Sequence, residues 1–147
     1  MENRALMALF GMMLLLNSAC VSIQKPIKMR VDSNICLNTT DDEKSLPVLL
    51  RVYQLSDKTE FAQASFEDLW KRDEKTLGSS FQSRHEYTIY PDKIDRFSFN
   101  KKEETQYIAF FATFRKPSRE TWKKIVKVPP GIMPKTIYVN VQKNELK

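Results

Sequence analysis

A mainly β fold, a two-sheet antiparallel β-sandwich with one short helical insertion, is what this sequence predicts, and three observations predict it. Apolar residues recur mostly at every second position and are rich in β-branched and aromatic types, the pattern of strands packed on a core. Turn and breaker residues divide them into seven or eight short pieces, the spacing of a sandwich. One stretch, at about residues 60–78, switches to helical spacing.

The chain begins differently. Arg4 precedes an apolar run from Ala5 to Leu16, and Asn17-Ser18-Ala19-Cys20 follows it. A short cationic start, a dozen apolar residues and small residues before a cut site make a signal peptide, residues 1–19. The run is too short to cross a bilayer, which takes roughly 20 apolar residues. A cysteine directly after small residues looks like a bacterial lipobox, so Cys20 is the expected lipidation site, carrying diacylglycerol and an N-acyl chain such as palmitate. Asn17 stands where that motif usually has an aliphatic residue. From Cys20 to residue 25 runs a tether that reaches at most about 20 Å, which keeps the following domain, 26–147, close to its membrane.

Within that domain Ile27, Met29 and Val31 alternate with Lys28, Arg30 and Asp32, a half-buried strand that could continue to Leu37. Cys36, between Ile35 and Leu37, reads as a buried, inert thiol. With Cys20 acylated it has no partner for a disulfide. Residues 38–45 are polar and acidic, a loop. Val48 to Leu55 is apolar on both faces except Arg51 and Gln54, a central strand whose arginine needs a carboxylate or the sheet edge. Ser65-Phe66-Glu67-Asp68 resembles a capping box, with Phe66, Leu69 and Trp70 at helical spacing and Gly78 as the stop. Trp70 reads as that helix's core anchor.

Strands resume at Glu86–Tyr90 and again at Ile94–Phe99. Thr105 to Arg115 is the strongest, apolar on both faces and so expected in the middle of the domain. Trp122–Val128 and Thr136–Val141 complete the set. The net charge is +6, but the basic residues are spread along the chain. No tight basic patch or recognisable module points to nucleic acid, and no small-molecule substrate is indicated.

Catalytic chemistry finds no foothold. The single histidine, His85, stands at an expected strand start and reads as a surface or strand-edge residue. There is no serine elbow, HExxH or P-loop, and Asp41-Asp42-Glu43 lacks the spacing and glycine of a calcium loop. No enzyme, metal or cofactor beyond the lipid is expected.

Pro47-Val48-Leu49-Leu50-Arg51-Val52-Tyr53-Gln54-Leu55 resembles the most recognisable segment of the type VI secretion outer-membrane lipoproteins, the TssJ (VasD, Lip) family. Phe61, Ala64-Ser65-Phe66 and Leu69 look like that family's helical insertion, and Leu77-Gly78 and Tyr90-Pro91 follow in order. Tyr107 to Arg115 looks like its central strand, and Trp122 matches its tryptophan. The resemblance covers roughly residues 26–142. It implies a transthyretin-like sandwich and a non-enzymatic lipoprotein of the outer membrane, facing the periplasm. The implied partner is the inner-membrane protein TssM, and through it TssL. Val21-Ser22, with no aspartate after Cys20, looks like an outer-membrane sorting signal. In the family the loop between the first two strands carries the TssM contact. Thr39, Thr40, Asp41, Asp42, Glu43 and Lys44 are its counterparts here. The alternative is an envelope lipoprotein acting as a small inhibitor or carbohydrate-binding module through an exposed aromatic such as Tyr87 or Tyr138.

Overall fold

The computed structural model describes residues 26–117, 119–129 and 136–147. The expected signal segment, Cys20 and the tether lie outside the described residues. The elements run β1 (Pro26–Ser33), β2 (Val48–Leu55), α1 (Thr59–Gln63), α2 (Phe66–Leu77), β3 (Phe81–Ile89), β4 (Ile94–Asn100), β5 (Tyr107–Ala112), β6 (Lys123–Lys127), β7 (Ile137–Gln142) and β8 (Glu145–Leu146). Two four-stranded sheets form, ordered β4-β1-β7-β8 and β3-β2-β5-β6.

One expectation needs correction. The strands are not all antiparallel, because β1 pairs in parallel with β7, from Met29 opposite Ile137 to Ser33 opposite Val141. A run of half-buried strands reads the same whichever way its neighbour points, so the alternation in the sequence could not reveal this.

The first sheet has one covered face. Ile27, Met29 and Val31 of β1 and Val139 and Val141 of β7 are buried. Lys28, Arg30 and Tyr138 stand on the other face, which successive side chains reach by alternation. The second sheet is covered on both. Val48, Leu50 and Val52 of β2 and Ile108, Phe110 and Ala112 of β5 face the first sheet, all buried. Tyr53, Ala109 and Phe111 face the helices instead, with the Tyr53 ring tilted against Phe61 at 5.6 Å and Phe111 tilted against Phe66 at 4.9 Å. That double cover explains why β2 and β5 are apolar throughout.

Gln54 is, with Arg51, one of two polar exceptions in β2, and it is fully buried. Its amide nitrogen donates to the Asn100 carbonyl at 3.0 Å, and its oxygen accepts from Lys102 N and Thr105 Oγ1, both at 2.9 Å. Both ends of the amide are therefore satisfied, as burial requires, and the two sheets are clamped together at this end.

The helical insertion starts as its sequence suggests. Ser65 Oγ accepts from the Asp68 amide at 3.2 Å and donates to the Asp68 carboxylate at 2.7 Å. Gly78 closes α2 at φ +53°, a conformation that suits glycine. Ser65→Ala should lower stability by about 1 kcal/mol, a fall of roughly 4 °C in melting temperature by circular dichroism. An unchanged melt would show that packing alone holds the helix start.

Candidate functional site

The loop between β1 and β2 is built around buried anchors. β1 ends at Ser33 rather than continuing to Leu37, because the Asn34 side chain accepts from the Cys36 amide at 2.7 Å and turns the backbone. Leu37 plugs into the core while Ile35, 63% exposed, faces solvent. Cys36 is exposed too, so it is not the buried thiol its apolar neighbours suggested. Asn38, buried and at φ +48°, ties the loop on three sides. Its amide nitrogen donates to Pro47 O (3.1 Å), its side-chain oxygen accepts from Arg115 N (2.8 Å), and its backbone N–H donates to Lys143 O (2.6 Å).

The loop tip closes on itself. Thr40 N–H donates to Lys44 O at 2.8 Å, and Thr40 Oγ1 accepts from Lys44 N at 3.0 Å. Thr39 Oγ1 donates to Cys36 O at 2.8 Å. The six residues singled out from the sequence therefore divide. The two threonine hydroxyls hold the loop's shape, whereas Asp41, Asp42, Glu43 and Lys44 are exposed. Lys116 of the β5–β6 connection pairs with Asp41 and holds its carboxyl below the ordinary range. Asp42 and Glu43 enter no ion pair among the described residues.

The β3–β4 turn lies beside this loop. Ser33 Oγ donates to Tyr90 O at 2.6 Å, and Asp92 N donates to Asn34 O at 3.4 Å. Tyr90 is 55% exposed. One end of the sandwich thus presents two exposed carboxylates, an ion pair, Ile35 and Tyr90 on a braced frame.

A second polar constellation lies under α2. Asp73 is buried, and its Oδ2 accepts from Tyr53 OH at 2.8 Å and from Arg84 Nη1 at 2.7 Å. Burial pushes the Asp73 carboxyl up, but the hydrogen bonds from Arg84, Tyr53 and the Glu74 amide outweigh it and leave the group below its usual range. Arg51 Nε donates to Glu86 Oε1 at 2.8 Å, and its Nη1 lies 3.6 Å from Asp73 Oδ2.

Nη1 of Arg51 also donates to the carbonyls of Leu69 (2.8 Å) and Trp70 (3.1 Å). These are carbonyls that a regular helix gives to the amides of residues 73 and 74. Here α2 is kinked at Arg72 (φ −150°, ψ 39°), and the Glu74 amide donates to Asp73 Oδ1 at 2.9 Å instead. Arg51 fills the gap, meeting the carboxylates that its place in an apolar strand required.

Trp70 corrects another expectation. It is 44% exposed and covers the Arg51 guanidinium at 4.8 Å, so it is a lid on this network rather than the helix's core anchor. Leu69 and Leu77, both fully buried, are the anchors. Asp73 itself could have been found in the sequence. With Leu69 and Leu77 it occupies one helical stripe at four-residue spacing, and an acid in an apolar stripe signals a buried partner.

His85 lies on edge strand β3, half-buried and stacked on Phe99 at 4.8 Å. Burial, with Lys102 nearby, keeps its pKa below the ordinary value. Tyr87 stacks on Phe97 at 3.9 Å between the sheets and is not an exposed platform. Among the described residues no group of His, Cys, Asp and Glu could hold a metal ion, and no helix is long and apolar enough to cross a membrane.

Residues 25–144 match the family model described as "Type VI secretion lipoprotein, VasD, EvfM, TssJ". The chain belongs to the type VI secretion lipoproteins. It is thus a non-enzymatic lipoprotein component of type VI secretion. A comparison with curated protein sequences returned no match. The TssJ1 lipoprotein of Pseudomonas aeruginosa is similar in structure, with a TM-score of 0.78 at 22% identity over 84% of this chain and 94% of that one. Serratia marcescens Lip, a membrane-bound component of the system, gives 0.77 at 16% identity over 83% and 95%. A chain in the structure described as the TssM C-terminal domain from EAEC gives 0.74 at 18% identity over 84% and 96%. At these identities the likeness is one of fold, and it extends over nearly the whole of each related chain.

Proposed function

We propose that this lipoprotein is acylated at Cys20 after removal of residues 1–19, is held in the outer membrane facing the periplasm, and recruits the periplasmic domain of TssM. TssL joins indirectly through TssM. The contact is made by the β1–β2 loop, with Asp41, Asp42, Glu43 and Lys44 as the contacting side chains and Thr39 and Thr40 shaping the loop. The observation that carries this reading is the braced loop itself. Asn38 and Leu37 fix its base while its charged side chains face solvent, and exposed loops on a rigid scaffold are where binding residues sit. Ile35 and Tyr90 supply apolar area beside the charges.

The loop leaves β1 at Ser33, whereas the chain from Cys20 enters β1 at Pro26. Eight residues of strand span roughly 25 Å, so the point where the tether enters and the docking loop lie at opposite ends of β1.

The test is binding of a 21–147 fragment to the TssM periplasmic domain by calorimetry. The fragment retains the whole described core, Ile27 to Leu146. Reversing Asp41, Asp42 and Glu43 to Lys should weaken the affinity about tenfold or more, chiefly through slower association at low salt. The melting temperature should not fall, because none of the three side chains is buried. Unchanged affinity would move the interface elsewhere on the domain.

A further inference from the structure

The uncovered face of the first sheet carries an arrangement that structural economy does not explain. In the antiparallel β1–β4 pair, Arg30 stands directly opposite Arg96. Like charges at opposed positions destabilise a sheet. Lys28 lies on the same face two residues along β1, opposite Ser98. Arg30 is ion-paired with Asp32 through a single Nε contact at 2.8 Å, and Lys28 and Arg96 enter no ion pair among the described residues. Tyr138 of β7 stands beside Arg30 and is 65% exposed. These residues, with Thr136, surround an open hollow of about 330 Å³. Three cations, two hydroxyls and an aromatic wall around one hollow are the kind of donor set that binds anions.

We propose that this hollow binds the phosphate of an anionic phospholipid in the membrane surface beside the domain. Its position points to that source. The hollow is centred on Lys28 to Arg30, within about four residues of Pro26, where the short tether from Cys20 arrives, and its lining includes no residue of the acidic loop. The orientation rests on the lipid anchor proposed above. The face then supplies a second attachment that fixes how the domain stands on the membrane, as a basic patch commonly accompanies a lipid anchor.

The test needs neither lipidation nor TssM. The 21–147 fragment is sedimented with vesicles of phosphatidylcholine alone and of phosphatidylcholine with phosphatidylglycerol. Preferential binding to the anionic vesicles, lost at high salt, is expected. Lys28→Ala/Arg96→Ala should weaken it by about fivefold per cation, roughly 25-fold together. A Lys71→Ala/Lys75→Ala variant, altered on the exposed surface of α2, should bind as the native fragment does, and the Lys28/Arg96 variant should melt no lower than the native fragment, since it relieves the opposed Arg30–Arg96 charges. Three results would overturn the proposal: equal binding to both vesicles, an undiminished Lys28/Arg96 variant, or an equal loss in the α2 variant, which would mean unspecific charge attraction. Titration with inorganic phosphate separates the sources. Saturation of the hollow by free phosphate without vesicle binding would mark a soluble-anion site and would also overturn membrane docking.

Discussion

An Asp73→Ala variant is expected to lose about 3 kcal/mol of stability, a fall of roughly 10 °C or more in melting temperature. The substitution removes the acceptor shared by Tyr53 and Arg84 and leaves Arg51 with Glu86 as its remaining carboxylate. A buried cation deprived of its counter-charge costs far more than a missing contact. Asp73→Asn should recover part of the loss, because the amide oxygen still accepts from Tyr53. The acid side gives a second readout. The Asp73 carboxyl is held below its ordinary range, so its contribution is fully present above about pH 4 and fades as pH falls through the lower folded value. Urea unfolding of the native chain should therefore show stability dropping across that acid window, and Asp73→Asn should flatten the drop. Equal slopes for the two proteins would show that Asp73 does not hold the network.

Phe111→Ala is expected to cost about 3–5 kcal/mol. Phe111 is the centre of an aromatic cluster, 4.9 Å from Phe66 and 5.6 Å from Trp122, and the Arg51 guanidinium lies 5.9 Å from its ring. The cavity would open between α2 and the second sheet, where neither layer can close without moving the other. Phe111→Leu fills most of that volume and should cost less than half as much. The helical insertion should become the first segment to exchange its amide hydrogens in the alanine variant. Uniform loosening across both sheets would mean that the insertion is part of the central core rather than a layer docked upon it.

How much of this was legible in the sequence follows from what each pattern encodes. The apolar residues on both faces of β2 and β5, interrupted in β2 only by Arg51 and Gln54, announced burial on two sides, and Ser65 and Gly78 announced the bounds of α2, because these signals are local. The parallel β1–β7 pair was not legible, since strand direction leaves no mark on alternation. Trp70 and Cys36 misled for a shared reason. Trp70 shares helical spacing with Phe66 and Leu69, and Cys36 lies between two apolar residues, but Arg51 draws the tryptophan outward over its guanidinium, and the Asn34 turn swings the cysteine to solvent. In the loop, the family resemblance marked all six positions alike. Only the hydrogen bonds of Thr39 and Thr40 separate the frame from the four side chains it displays.

The pairing of β1 with β7 has a consequence in time. Residues 26–33 lie beside residues 137–142, so the first and last parts of the domain complete one another. Until β7 has formed, β1 has β4 on one side and an open edge on the other. Closing that edge waits for the final dozen residues and for the loss of chain entropy over more than a hundred intervening positions, which makes this a late and slow event. The first sheet is complete only once β7 has joined β1, and until then the edge of β1 offers unpaired backbone groups to any other strand.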